Sequence, residues 1–97
     1  MQINFSGHHV NITPALKVFA EEKMAKLERH FEKITSIDII FNVEKLMHIV
    51  EATVLITKAK ICAHAEAKDM YTAIDEVIHK LDQQLIKHKE KISNHRD

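Results

Sequence analysis

Apolar residues recur at helical spacing through the last third of the chain. When successive residues are turned by about 100°, Met70, Ile74, Val77, Ile78, Leu81, Leu85 and Ile92 fall on one stripe. Asp69-Met70-Tyr71-Thr72-Ala73-Ile74-Asp75 opens this helix, and the pattern continues from Lys80-Leu81 through Lys91. Charge is sorted across it: Lys80, Gln84, Lys87 and Lys91 line one flank of the stripe, while Asp75 and Asp82 lie on the other. Such a helix can bury one face and present a row of cations and amides suited to phosphates. A second helix of the same kind is predicted from Pro14 to about Phe31. There the Thr13 hydroxyl can cap free backbone N–H groups, and Pro14 at the first helical position gives up an N–H that would have no partner. Its stripe is Leu16, Phe19, Ala20, Met24, Leu27 and Phe31. Lys23, Lys26, Arg29, His30 and Lys33 lie toward one flank and Glu21, Glu28 and Glu32 toward the other, with Glu22 alone breaking the basic side.

The remaining segments alternate with a period of two. Gln2 to Ser6 places Ile3 and Phe5 on one side and reads as a short strand ended by Gly7, with a loop over His8 to Ile12. Three more strands follow the first helix. Their inward sets are Ile37, Ile39, Phe41 and Val43, then Val50, Ala52, Val54 and Ile56, then Ile61, Ala63, Ala65 and Ala67. The connections at Glu44 to Met47 and Thr57 to Lys60 are short enough for hairpins, though neither carries an Asn-Gly or Asp-Gly pair. The order β-α-β-β-β-α predicts an α+β fold. A right-handed crossover should make the first two strands parallel, hairpins should add the other two antiparallel, and both helices should cover the one apolar face of a four-stranded mixed sheet. Residues 1–97 are expected to form a single domain, with Ser93 to Asp97 as a frayed tail.

Composition bounds the class. A chain of 97 residues with 45% hydrophobic content has room for one core and no more. One cysteine excludes an internal disulfide framework, the start lacks a secretory pattern, and no segment reaches the ~20 apolar residues that span a bilayer. A soluble, cytoplasmic protein, monomeric when free and without a membrane partner, is the expectation. Lys and Arg number 14 against 14 Asp and Glu, so no global positive field steers the chain toward a polyanion, and nucleic-acid binding must rest on local segregation. Eight histidines, with an ordinary pKa near ~6.5, should make the surface more basic in mild acid.

Candidate chemistry is sparse. Cys62 and His64 share the outer sheet face with Glu51 nearby, which suggests a metal or an activated thiol, but structural zinc takes four ligands and no CxxC or HxxxH spacing supplies them. The loop pair His8-His9 is likewise more often exposed or bonded to backbone than metal-binding. No phosphate-cradling glycine loop, nucleophile elbow or paired catalytic carboxylates occur, and the chain has one glycine. No catalytic residue, metal or cofactor is therefore expected. The basic flanks leave two readings open. If the helices run parallel, the flank of one faces its neighbour's acids and makes interhelical ion pairs, while the other faces solvent and is free for phosphate; exposed pairs contribute only ~0–1 kcal/mol.

Gly7-His8-His9-Val10 with Thr13-Pro14-Ala15-Leu16, then Lys26-Leu27-Glu28-Arg29-His30-Phe31, then Asp69 to Asp75 and Lys80-Leu81 through Lys91, resemble the ribosome hibernation promoting factor family in its short form. The resemblance covers nearly the whole chain in order. It implies a non-enzymatic domain that binds the 30S ribosomal subunit and its 16S rRNA in the mRNA channel, over the A- and P-site tRNA positions. Bound there it would block translation and promote inactive ribosome dimers in stationary phase. Carried over by position, the rRNA-binding residues are Lys23, Lys26 and Arg29 on the first helix and Lys80, Gln84, Lys87, Lys89 and Lys91 on the last, with Lys89 toward the acidic side. Where the family usually has arginine this chain has Gln83, which weakens one expected phosphate contact. Long-form members carry a further C-terminal dimerisation domain, so a chain ending at Asp97 is expected to need a separate ribosome-dimerising factor. The alternative is a protein-binding modulator that uses the open sheet face through Ile40, Ile49 and Leu55. RNA binding should weaken steeply with salt, and such an apolar contact should not.

Overall fold

The computed structural model describes residues 2–31 and 33–94, with side chains placed through Lys89. The elements are β1 (Gln2–His8), α1 (Pro14–His30), β2 (Ile34–Glu44), β3 (Met47–Ile56), β4 (Ala59–Ala67) and α2 (Met70–Asn94). The strands lie in the order β1-β2-β3-β4, with β1 and β2 parallel and the other neighbours antiparallel. This is the expected α+β arrangement, and it follows from the alternation. Ile37, Ile39, Phe41, Val50, Ala52, Val54, Ile56, Ile61, Ala65 and Ala67 are buried beneath the helices, while their neighbours in sequence turn to the other face.

The helices meet the sheet through the predicted stripes. Leu16, Ala20, Met24, Leu27 and Phe31 of the α1 segment are buried, as are Met70, Ala73, Ile74, Val77, Ile78, Leu81 and Leu85 of α2. Phe19 is half-buried because it sits at the seam between helices, edge-on to Tyr71 with ring centroids 4.9 Å apart. Ile92 and Glu32 lie outside the residues with described side chains. Thr13 Oγ1 accepts from the Leu16 N–H at 3.1 Å, the cap that the Thr-Pro pair implies. At the second helix Asp69 has the same office. Its carboxylate accepts from the Thr72 N–H at 2.8 Å and from the Thr72 hydroxyl at 2.7 Å, bonds that hold the Asp69 pKa below its ordinary value.

The first strand ends later than expected, and the hairpins form where they were expected. Gly7 does not end the first strand: Gly7 and His8 continue the ladder opposite Phe41 and Asn42, and the chain turns only at His9, with φ of 61°. Glycine is needed at position 7 for space, since a Cβ there would stand 2.7 Å from the Val10 carbonyl oxygen. Ser93 and Asn94, which the expectation placed in a frayed tail, continue α2; residues 95–97 lie outside the described residues. The hairpins close through two-residue turns, Lys45-Leu46 and Thr57-Lys58, in which a lysine rather than a glycine takes the left-handed conformation (φ 55° at Lys45, 67° at Lys58).

Candidate nucleic-acid interface

Both helices follow strands that run in the same direction, so α1 and α2 lie parallel. The contacts between them keep one register: Phe19 meets Tyr71, Lys23 meets Asp75 and His30 meets Asp82, each pair 52 residues apart. Lys23 Nζ lies 3.2 Å from Asp75 Oδ1 and 5.2 Å from the Phe19 ring centroid. His30 Nδ1 donates to Asp82 Oδ1 at 2.6 Å, since a carboxylate can only accept. Part of the basic flank of α1 is therefore turned into the seam, against the acidic flank of α2. Interhelical pairing accounts for Lys23 and His30; Lys26 and Arg29 are exposed, with no partner among the described residues.

The basic flank of α2 has no third helix to face. It hangs over β4, the edge of the sheet, whose outward backbone groups lack a neighbouring strand. Lys80 Nζ donates to the His64 carbonyl at 2.8 Å, and Gln84 Nε2 to the Cys62 carbonyl at 2.9 Å. Two residues of α2, one helical turn apart, thus clasp two alternate carbonyls of the edge strand. Sequence reasoning had no signal for this, because it depends on which strand ends the sheet and on backbone atoms. Above the clasp opens a cleft of about 330 Å³ lined by Lys80, Gln83, Gln84 and Lys87 of α2 with Cys62 and His64 of β4.

The eight residues carried over as rRNA ligands therefore divide. Lys80, Gln84 and Lys87 are gathered at one cleft, and Gln83, the position where arginine was expected, is exposed at the same place. Lys26 and Arg29 stand apart from it on α1, and Lys23 is engaged in the seam. Lys89 is exposed on α2, where helical geometry gives it the flank of Asp75 and Asp82. Lys91 belongs to α2, but its side chain lies outside the described residues. On the open sheet face, Glu51 stands opposite His64 and Cys62 opposite Thr53, with Thr53 Oγ1 and Cys62 Sγ 3.7 Å apart. Among the described residues no three His, Cys, Asp or Glu side chains converge to hold a metal ion, and no helix is long and apolar enough to cross a membrane.

Residues 3–93 match the family described as Sigma 54 modulation protein / S30EA ribosomal protein. The ribosome hibernation promoting factor of Azotobacter vinelandii is 54% identical to the chain over 91 residues, covering 94% of this chain and 85% of that protein. The factor of the same name from Escherichia coli strain K12 is 45% identical over 95 residues, 98% of this chain and 100% of that protein. Among solved structures, a ribosomal subunit interface protein from Coxiella burnetii superposes with a TM-score of 0.89 at 40% identity, over 93% of this chain and 99% of that one. The N-terminal domain of Thermus thermophilus Protein Y superposes with a TM-score of 0.85 at 24% identity over 91% of this chain and 99% of that one, a likeness of fold alone. A match spanning nearly the whole chain, with relatives at this identity carrying the name that the Asp69–Asp75 and Lys80–Lys91 segments suggested, decides the assignment: the chain belongs to the Sigma 54 modulation protein / S30EA ribosomal protein family.

Proposed function

We propose that the protein is a non-enzymatic ribosome hibernation factor. On this reading it acts in the cytoplasm, binds the 30S subunit through 16S rRNA in the mRNA channel and over the A and P tRNA sites, blocks translation, and promotes inactive ribosome dimers with a separate dimerising factor. The relatives' shared name supports the hibernation role, and the chemistry of the α2 flank supports RNA as the partner. The observation that carries the reading is the cleft beside β4, where Lys80 and Lys87 add two positive charges to the amides of Gln83 and Gln84 on one solvent-facing surface. Phosphate oxygens accept hydrogen bonds and are drawn to cations, so this set of donors suits an RNA backbone and reads no particular base. Lys26 and Arg29 extend the basic surface onto α1.

Co-sedimentation with purified 30S subunits across a salt series tests the proposal. Binding should fall steeply with salt, and Lys80→Glu with Lys87→Glu should abolish it while the circular dichroism spectrum stays native, because both positions are exposed and only one surface hydrogen bond, Lys80 to the His64 carbonyl, is lost. A folded double variant that still sediments with the subunit would remove this flank from the interface.

A further inference from the structure

His64 stands where the sheet edge meets the α2 cleft. Alternation along β4 turns Ile61, Ala65 and Ala67 under the helices, so Cys62, His64 and Glu66 point away from them. The His64 carbonyl points outward from the edge and accepts from Lys80 Nζ at 2.8 Å, which brings that ammonium to the same residue. Lys80, Gln83, Gln84 and Lys87 line the cleft from α2 and His64 lines it from β4; among the described residues no carboxylate does. His64 also borders the cleft on the open sheet face, so it marks the rim between the two. Its bond to α2 uses the carbonyl, and its side chain is exposed.

An imidazole differs from the lysines and amides beside it because it ordinarily changes charge between about pH 5 and 8. The neutral ring has one N–H and one lone pair; the charged ring has two N–H donors and a positive charge. Phosphate oxygens only accept and are negative, so a phosphate in the cleft favours the imidazolium. The charged groups around the ring pull in both directions. Glu51, opposite His64 on β3, and Glu66, two residues along β4, favour the charged ring, and Lys80 and Lys87 of α2 oppose it. Glu76 lies one turn before Lys80 on α2, Cys62 is next to His64 on the same face of β4, and His8 of β1 lies across the open face. A phosphate between the lysines and the ring offsets the lysines' opposition and leaves the carboxylates' attraction. Anion binding and proton uptake then reinforce each other, and by linkage each tightens the other equally.

We propose that His64 is a further ligand of the RNA backbone, holding as imidazolium a phosphate that Lys80 and Lys87 hold from α2, so that the protein grips RNA more tightly as pH falls. The inference rests on the reading of the α2 cleft as an RNA surface. It adds a strand residue outside the eight carried over by position, and it gives that surface a sensitivity to pH that lysines and amides do not have.

The test compares the full chain with His64→Gln and His64→Lys in 30S co-sedimentation at fixed salt, at pH 6 and pH 8. Position 64 is exposed, so both variants should keep the native circular dichroism spectrum. At pH 6 the unmodified protein should bind about two- to fivefold more tightly than His64→Gln, and at pH 8 the two should bind alike. His64→Lys should bind at pH 8 as tightly as the unmodified protein does at pH 6. Comparing variants at each pH removes the ribosome's own titration from the result. A second readout follows the His64 ring protons by NMR from pH 5 to 8 with and without oligouridylate, which should move the titration midpoint upward. Equal affinities of the unmodified and His64→Gln proteins at pH 6, or a midpoint that oligouridylate leaves in place, would overturn the role of His64. If Lys80→Glu with Lys87→Glu still abolishes binding in that case, the cleft remains the RNA surface and His64 alone is excluded. If that double variant binds normally, the reading of the cleft fails and the role of His64 fails with it.

Discussion

Asp75→Asn should make the protein bind RNA more tightly. Lys23 belongs by sequence to the basic surface of α1, yet its ammonium sits 3.2 Å from Asp75 and leans over Phe19. The Asp75 side chain is 53% exposed and that of Lys23 27%, so water screens the pair and its net worth is about 0.2–1 kcal/mol. Removing the carboxylate should therefore lower the melting temperature by only about 1–8 °C for a domain of this size. The effect on binding should be larger. A lysine released to one phosphate displaces one counterion, which steepens the plot of log affinity against log salt by about 0.7–0.9. Evaluated at 0.1 M salt, that increment corresponds to about five- to eightfold tighter binding. The assay is 30S co-sedimentation from 50 to 300 mM potassium chloride with four proteins: unmodified, Asp75→Asn, Lys23→Met and the double variant. Lys23→Met alone should leave the salt slope nearly unchanged, because Asp75 already neutralises that charge, and in the Asp75→Asn background it should erase the gain. If Lys23→Met alone removes a full increment of slope, the lysine leaves the seam whenever RNA arrives, and the reasoning from the free structure fails.

Three further outcomes are expected. Gln83→Arg places a forked cation at the mouth of the α2 cleft, clear of the core, and should tighten 30S binding and steepen the salt slope by somewhat under about one. Leu81→Ala empties a fully buried position at the centre of the α2 stripe and should cost about 3–5 kcal/mol in chemical denaturation; a loss under about 1 kcal/mol would mean that α2 is poorly packed against the sheet. Asp69, whose pKa is lowered by the Thr72 N–H and then by the Thr72 hydroxyl, stabilises the fold above the ordinary carboxylate pKa, and this contribution fades as pH falls through the lowered native value. Asp69→Asn should therefore flatten the acid limb of the stability curve measured by denaturant titration between pH 5 and 2.

The parts of this fold that were legible in the sequence are those set by burial with a fixed period. Leu81 and Val54 announce themselves because a helix or strand with one dry face must repeat apolar residues at its own spacing, and the element order then restricts the sheet to one economical topology. Gly7 was misread because turn-forming and space-saving glycines look alike in sequence; only the position of the Val10 carbonyl tells them apart. The cations were the hardest to read. Lys23 and Lys87 lie on equivalent flanks of similar helices, yet one is paired and the other is exposed. The difference is that α1 has α2 beside it and α2 has only a sheet edge, a fact about neighbours that no local pattern contains.

The clasp on β4 bears on why Lys80 and Gln84 suit a phosphate surface while holding backbone carbonyls. Each retains unused donors: an ammonium has three N–H groups and gives one to His64, and a carboxamide has two and gives one to Cys62. The clasp therefore leaves them able to serve the proposed RNA interface and fixes their heads in place. A free lysine loses rotamer freedom when it binds, at about 0.5–1.5 kcal/mol per ordered side chain, and for these two much of that loss is already incurred on folding. Edge protection and ligand binding are then compatible demands on the same atoms. In the proposed RNA contact Lys87, exposed beside them, would bear the ordering cost at the moment of binding. Equal charge at Lys80 and Lys87 accordingly implies equal salt slopes but unequal affinities, with Lys80 contributing the larger share.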